Sequence, residues 1–263
     1  MSVALITGGT AGIGAAFARA LAAEGYDLVL VARDGERLAG FADELTARHG
    51  VDVTALVADL TTPAGCALVE QRLAEPDRPV DLLVNNAGIS VSRSLLKSST
   101  EDLERILALN IHAVLRLTRA ALPGMVARGK GDIINVSSVA GYVTRPGSTY
   151  PASKAWVTNF SESTGLAVRR NGVRVLVLCP GYTRTEFHAR AGIDAGKIPG
   201  WLWLSADDVV RDGLRDLRRG KLVSVPDWRY KVAVVALRYT PPGLLRWGRG
   251  LRRGRPDRVE RPA

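Results

Sequence analysis

Cysteine and histidine are scarce in this 263-residue chain, with two of the first and three of the second. Cys66 and Cys179 have no partner at metal-ligand spacing, and His112 and His188 have none either. No metal site is therefore expected, the cysteines are expected to be reduced and structural, and these histidines to pack or lie on the surface. Long apolar runs are missing too: none approaches the ~18 residues that a membrane span requires. The N-terminus lacks the basic flank, apolar run and small-residue cleavage site of a secretion signal, since an apolar strand begins at Val3. The chain is expected to begin with its fold and to stay in the cytoplasm.

Acidic residues run short only at one end. Residues 228–263 carry ten Lys or Arg against two acids, which accounts for +8 of the formal net charge of +10 and leaves +2 for residues 1–227. The basicity thus belongs to a C-terminal extension and not to the main body, and no nucleic-acid-reading module accompanies it. At 46% hydrophobic residues the body can form one large α/β domain over residues 1–227.

What is present begins with Val3-Ala-Leu-Ile-Thr7, a buried-strand pattern that runs into Gly8-Gly9-Thr10-Ala11-Gly12-Ile13-Gly14 and then an Ala- and Leu-rich helix. Strand, glycine turn and helix make the first half of a dinucleotide-binding unit: the glycines let backbone approach a pyrophosphate, whose charge lies at the helix N-terminus. A second strand over residues 27–32 ends at Arg33, with Arg37 one helical turn on. An acid near this point would bind the ribose hydroxyl of NAD, whereas arginine accommodates the 2′-phosphate of NADP, so NADP(H) is expected over NAD(H). A third strand over residues 51–58 ends in Asp59-Leu60, where Asp59 is placed to accept from the adenine amino group, to cap the helix starting near Thr62-Pro63, or both. A fourth, over residues 80–84, ends in Asn85-Asn86-Ala87-Gly88, small residues for a close ligand approach and amides to brace neighbouring strands.

Residues 100–122 read as one amphipathic helix interrupted chemically by Asn110, which is expected to hold a local distortion and a water. Further strands are expected over residues 132–136 and 173–179, with a helix over residues 149–170 between them. Strands alternating with helices in this way give a doubly wound parallel sheet in a three-layer α/β/α arrangement, with every motif along one edge. Ser137 leaves the fifth strand, and Tyr150 and Lys154 stand four apart at a helix start, on one face. A phenol beside an ammonium, whose charge would lower its pKa, suits acid/base work, and a serine hydroxyl aimed at the same point suits a developing oxyanion.

Together these residues resemble the short-chain dehydrogenase/reductase family over residues 3–226. Thr7-Gly8-x-x-x-Gly12-Ile13-Gly14 is similar to its cofactor turn, Asn85-Asn86-Ala87-Gly88 to its sheet-stabilising motif, and Tyr150-x-Ala-Ser-Lys154 to its active-site signature. Ser137 stands thirteen before Tyr150, and Pro180-Gly181 follows the sixth strand, both in the family manner. The resemblance implies a Rossmann-like sheet of order 3-2-1-4-5-6-7, with the seventh strand over residues 222–225. It implies Tyr150 as general acid, Lys154 as the residue that lowers its pKa and binds the nicotinamide ribose, Ser137 as the group polarising the carbonyl, and Asn110 as holder of a relay water. Gly8, Thr10, Gly12, Ile13, Gly14, Arg33, Asp59, Leu60, Asn86, Ala87, Gly88, Tyr150, Lys154, Pro180, Gly181, Thr183 and Thr185 are the cofactor contacts expected from this reading. A homodimer or homotetramer is implied, pairing through the helices at residues 100–122 and 149–170. The activity implied is NADPH-dependent, reversible reduction of an apolar ketone, 3-oxoacyl or steroid-like carbonyl. A sensor or scaffold that binds NADP(H) without turnover is the alternative.

Two segments are left for specificity. Residues 186–204, with Phe187, Ile193, Ile198 and Trp201-Leu-Trp-Leu204, read as a substrate lid or as a patch buried against the following helix. In the extension, residues 229–239 can form a helix that Pro241-Pro242 ends. Apolar and aromatic residues interleaved with arginine suit peripheral contact with a membrane surface, cover for a long acyl substrate, or simple packing followed by a disordered basic end.

Overall fold

Five runs rich in Val, Leu and Ile, each with turn residues at both ends, dictate buried strands, and the computed structural model places them side by side. It describes residues 2–91, 93–192, 194, 196 and 198–240; Ile193, the Pro241-Pro242 break and the arginine-rich end lie outside the described residues. The strands are β1 (Val3–Thr7), β2 (Asp27–Ala32), β3 (Val53–Val57), β4 (Leu82–Asn85), β5 (Gly131–Val136), β6 (Val173–Leu178) and a short β7 (Val223–Ser224). They form one parallel sheet in the order β3-β2-β1-β4-β5-β6-β7.

Side chains alternate across this sheet with the period of two that a strand imposes. Ala4, Ile6, Leu28, Leu30, Leu82 and Val84 join one buried cluster, while Leu5, Val29, Val31 and Leu83 join another. Helices α1 (Gly12–Ala23), α2 (Gly35–His49) and α8 (Ala206–Arg218) cover the first face, through Phe17, Leu21, Leu38, Leu45, Val210 and Leu214. The second is covered by α3 (Pro63–Ala74), α5 (Ala113–Arg128) and α6 (Thr149–Val168), through Val69, Leu73, Leu117 and Met125 together with polar ties from β4 and β5. Each fully buried Leu or Phe in these layers contributes about 1.5–3 kcal/mol.

Local sequence sets the ends. Asp34 caps α2 by accepting from Arg37 N, and Gly50 closes it in the left-handed region at φ 68°. Thr62 caps α3 with Pro63 at its first position. The expected helix over residues 100–122 is two helices, α4 (Thr100–Leu107) and α5, joined by a π turn over Ala108–His112 that contains Asn110. A buried amide on an apolar face draws its partners from outside the helix, and the wider turn accommodates them.

Candidate active site

Right-handed crossovers bring the C-terminal ends of β1, β4, β5 and β6 to one edge, and the site is assembled there. At β1 the chain enters the glycine turn with Gly8 at φ 66° and Gly12 at φ 52°, a region that side chains disfavour. A Cβ at Gly14 would stand 2.1 Å from Gly8 O and 2.5 Å from Asn86 Nδ2, so this close approach admits no side chain. Behind the turn α1 begins at Ala11 with no side-chain cap and no acid in its first turn. Its leading N–H groups therefore lack the partner that Ser, Thr or Asp supplies elsewhere in the chain, and face the place a pyrophosphate would take. The bare turn and the uncapped helix fit a dinucleotide. Thr10 and Ile13 are half-buried on the two sides of this turn.

The β4 end is tied to β1 by one hydroxyl. Thr7 Oγ1 accepts from Asn86 N and Ala87 N, both at 3.0 Å, while Asn86 Nδ2 donates to Thr7 O (2.9 Å) and Gly8 O (3.2 Å). One residue earlier, Asn85 Nδ2 donates to Asn135 Oδ1 (2.9 Å) and Thr118 Oγ1 (3.2 Å), and Asn135 passes the chain on to Ser161 (2.9 Å). The amides thus brace β4, β5, α5 and α6, as expected for Asn85-Asn86.

Asn110 is fully buried in the π turn. Its Oδ1 accepts from Ile89 N (2.9 Å), and its Nδ2 donates to Ile89 O (2.9 Å) and Ser153 Oγ (3.1 Å). Both amide hydrogens are used by protein, so the expected water is not held by this side chain's N–H groups. The side chain binds the strand 4 loop, beside Gly88, to the first turn of α6, because Ser153 Oγ also donates to Tyr150 O (2.8 Å).

The expected placement of Ser137 requires a correction. Ser137 does not face Tyr150: it is buried, its Oγ donates to Lys154 O (2.7 Å) and shares a hydrogen with Thr158 Oγ1 (2.9 Å). The cause is strand periodicity, since Asn135 and Ser137 point to the same face and both are consumed by α6. Ser138, on the opposite parity, stands near the Tyr150 phenol and pulls its pKa down, while its own Oγ reaches Pro180 O at 3.5 Å. It also receives Ala140 N (3.1 Å) as the cap of the turn Val139–Tyr142. Alternation along β5 was the signal in the sequence that separates the two serines.

The electrostatics of the pair also differ from expectation. Tyr150 retains some surface, yet burial of its hydroxyl pushes the pKa up to about 12, against which the nearby Ser138 hydroxyl pulls down. Lys154 Nζ lies 5.8 Å from the Tyr150 ring centroid and donates to Val136 O (2.9 Å). Burial lowers its own pKa to about 8. Desolvation is the largest influence on the phenol and raises its pKa, so Tyr150 keeps its proton at neutral pH.

At the adenosine end, Arg33 is exposed and makes no ion pair among the described residues, while its charge helps to hold Asp59 low. Arg37 is engaged elsewhere, in a two-pronged pair with Glu186 at 2.7 and 3.2 Å. Burial opposes ionisation of Asp59, but hydrogen bonds from Thr61 N (2.9 Å) and Thr61 Oγ1 (2.8 Å), with Arg33 and Arg105, overcome it. Asp59 therefore shapes the turn, and Thr62, not Asp59, caps α3. The Leu60 side chain is buried in the core and offers a ligand only its backbone.

After β6, Pro180 O accepts from Val139 N (3.0 Å), and Thr183 is buried with its Oγ1 donating to Gly181 O (3.1 Å). Thr185 caps the short helix α7 (Glu186–Arg190) and sits against the glycine turn: a Cβ at Gly12 would lie 2.8 Å from its methyl. The segment 186–204 is buried at one point and exposed at another. Leu204 is buried and bridged to Thr183, whereas Trp201 is 63% exposed. Phe187, which sequence reasoning placed only in the lid, packs its ring 5.7 Å from that of Tyr150. His188, buried as a packing residue, joins Phe187 (5.7 Å), Tyr182 (5.8 Å) and Trp203 (4.8 Å) in an aromatic wall, and burial lowers its pKa. Cys66 and Cys179 are free and buried. Among the described residues, no three His, Cys, Asp or Glu stand together as a metal site would need, and no helix is long and apolar enough to cross a membrane.

A parallel sheet of this order, with a glycine turn after β1 and a Tyr-Lys pair in the first turns of α6, defines a nicotinamide-dependent oxidoreductase of alcohol and carbonyl groups. A profile of the short chain dehydrogenase family matches residues 2–195. The chain belongs to the short-chain dehydrogenase/reductase family. It is 41% identical over 184 residues, 69% of either chain, to the oxidoreductase UcpA of Escherichia coli K12. The very-long-chain 3-oxoacyl-CoA reductase of Anas platyrhynchos is 36% identical over 188 residues, 70% of this chain and 60% of that one. Among solved structures, a short-chain dehydrogenase from Sphingobium yanoikuyae in complex with NADPH superposes with a TM-score of 0.84 at 38% identity, covering 100% of this chain and 99% of that one. The bulky-bulky ketone specific alcohol dehydrogenase from Comamonas testosteroni does so with a TM-score of 0.79 at 31% identity, covering 100% and 97%.

Proposed function

We propose that the protein is an NADPH-dependent reductase of a bulky, apolar ketone, 3-oxoacyl or steroid-like carbonyl, and runs in reverse on the secondary alcohol. One observation carries this reading: a phenol kept protonated by burial, beside Ser138 and faced by the Phe187 ring. When bound, the nicotinamide supplies the hydride. The chain does the rest. Ser138 Oγ donates to the substrate oxygen and fixes it, Tyr150 Oη gives that oxygen its proton, and the charge of Lys154 steadies the phenolate left behind. Lys154, with one hydrogen on Val136 O, keeps others for a ribose hydroxyl. Asn110, through Ser153, holds the first turn of α6 at this spacing.

The glycine turn, Asn86-Ala87-Gly88, Pro180-Gly181, Thr183 and Thr185 would hold the cofactor, and the unpaired Arg33 favours NADP(H). The aromatic wall of Tyr182, Phe187, His188 and Trp203 suits a large apolar substituent, in keeping with the ketone and 3-oxoacyl preferences in the names of the Comamonas and Anas relatives. A sensor would need the cofactor turn but not a buried phenol, lysine and serine in contact. Mixing the purified protein with NADPH and a panel of carbonyls of rising size tests the reading: consumption that grows with apolar bulk supports it, and none across the panel refutes it.

A second reading concerns location. Helix α9 (Trp228–Tyr239) exposes Trp228, Val232, Val235 and Tyr239, at four, three and four spacing and hence on one face, flanked by Lys231 and Arg238. Residues 241–263 add seven arginines against two acids. An apolar stripe edged by cations, with aromatics at its ends, fits an anionic membrane surface. Flotation of the full chain with anionic but not zwitterionic vesicles, abolished by Val232→Glu with Val235→Glu, is the expected result, and equal flotation of the variant refutes it. The same chain is expected to self-associate through α4, α5 and α6, where Leu107, Leu115 and Leu166 are exposed; light scattering giving a monomer mass would exclude that.

A further inference from the structure

Helix α9 lies outside the part of the chain that the family profile matches, yet it reaches the active-site wall through one residue. Tyr230 is buried, and its ring covers Gly181 so closely that a Cβ there would stand 2.1 Å from the ring. Its hydroxyl bridges two separate backbone segments, accepting from Tyr182 N (3.1 Å) and donating to Leu202 O (2.7 Å). Tyr182 lies in the loop after β6, and Leu202 lies in the segment 186–204. One phenol thus fixes the distance between them.

The neighbouring contacts hold that phenol in place. Arg229 donates to Trp201 O, next to Leu202, and pairs with Asp227 at 2.7 Å. Asp227 itself adopts φ 69°, strained for a residue with a side chain, while it caps α9 by accepting from Arg229 N (2.8 Å). A strained cap maintained by three bonds to the next arginine marks a chain direction set with some force. From Tyr182 the contacts run inward: to His188 at 5.8 Å, to Phe187 at 5.7 Å and to Tyr150 at 5.7 Å, with Trp203 against both Tyr182 and His188.

We propose that Tyr230 is a positioning residue for the substrate: its hydroxyl clamps the Tyr182 and Leu202 backbones and so sets the width of the aromatic wall beside Tyr150. The inference rests on the carbonyl reductase reading for its kinetic expression but not for its structural one. Tyr230 touches neither cofactor atoms nor the reacting oxygen. It acts through Gly181-Tyr182 and Leu202, and its removal should be felt by substrates large enough to press on the wall. Loss of the hydroxyl leaves a partly buried N–H and C=O without their partner, which loosens both segments.

Tyr230→Phe keeps the ring over Gly181 and removes only the clamp. In the full chain, KM for the bulkiest accepted ketone should rise about ten-fold, with kcat and the KM for a small ketone unchanged to within about two-fold, a shift of the size expected for one lost hydrogen-bonding group. NADPH affinity, followed by nucleotide fluorescence, should not change. A purely structural residue would lower thermal stability and leave the ratio of the two KM values alone, and that result overturns the proposal. Hydrogen exchange separates failure of this inference from failure of the reductase reading. If the wild type reduces no carbonyl, faster exchange of the Tyr182 amide and the lid amides in the variant still supports the clamp, and unchanged exchange there overturns it.

Discussion

Exchanging two adjacent serines, one at a time, separates catalysis from packing. In Ser138→Ala the hydroxyl that meets Tyr150 is lost, while the turn it caps keeps its other bonds. A donor aimed at a developing oxyanion is worth about 2.7–4 kcal/mol of barrier, so kcat should fall by about 10²–10³ with NADPH binding intact. Ser137→Ala removes instead a buried bond to Lys154 O, which still receives Thr158 Oγ1 at 2.9 Å. That change should cost about 1–2 kcal/mol of stability and lower Tm by about 2–4 °C for each kcal/mol. Its kcat should stay within about three-fold of wild type, or about 0.7 kcal/mol of barrier. The assay is NADPH consumption at saturating ketone, with thermal unfolding of each variant alongside. Greater loss of turnover in Ser137→Ala than in Ser138→Ala would refute the assignment drawn from strand parity.

Three further outcomes are expected. Arg33→Ala should weaken NADPH by about 10–100-fold, the worth of a charge-assisted bond to phosphate, and leave NADH nearly unchanged; titration of both nucleotides checks this, and equal losses would show that Arg33 does not read the 2′-phosphate. Lys154 has a folded pKa of about 8 against 10.5 ordinarily, so the unfolded state binds the extra proton and its burden on stability lifts as pH rises between those values. The stability advantage of Lys154→Met over wild type should therefore shrink by about 2 kcal/mol from neutrality to pH 10, measured by urea unfolding, and a constant difference would contradict the shift. Gly14→Ala, which would drive a Cβ to within 2.1 Å of Gly8 O, should abolish nucleotide binding measured by fluorescence, and binding within about three-fold of wild type would show that the turn yields freely.

Most of the sheet was legible because parallel strands buried on both faces leave near-continuous apolar runs, and β1 and β2 begin and end where those runs do. The seventh strand is shorter than residues 222–225, since Val223 and Ser224 alone pair, with Val177 and Leu178 at the very end of β6. Asn110 announced a distortion by its polarity, but not that its amide would be spent on Ile89 and Ser153. The glycine turn and the Tyr150–Lys154 spacing are local, and local patterns survive in a sequence. Burial is not local. Nothing near Tyr150 in the chain foretold that desolvation would raise its pKa, or that Arg37 would be taken by Glu186, 149 positions on. The Tyr230 clamp, 48 and 28 positions from its partners, was likewise invisible until the chain was folded.

The account depends most on Tyr150 as the proton donor to a carbonyl oxygen. Tyr150→Phe keeps the ring against Phe187 and loses only the hydroxyl. Single-turnover oxidation of bound NADPH by a bulky ketone measures that step directly. The account predicts rapid oxidation in the wild type and, in the variant, NADPH bound with unchanged affinity but oxidised at least about 10³-fold more slowly. Oxidation in Tyr150→Phe at the wild-type rate would contradict it.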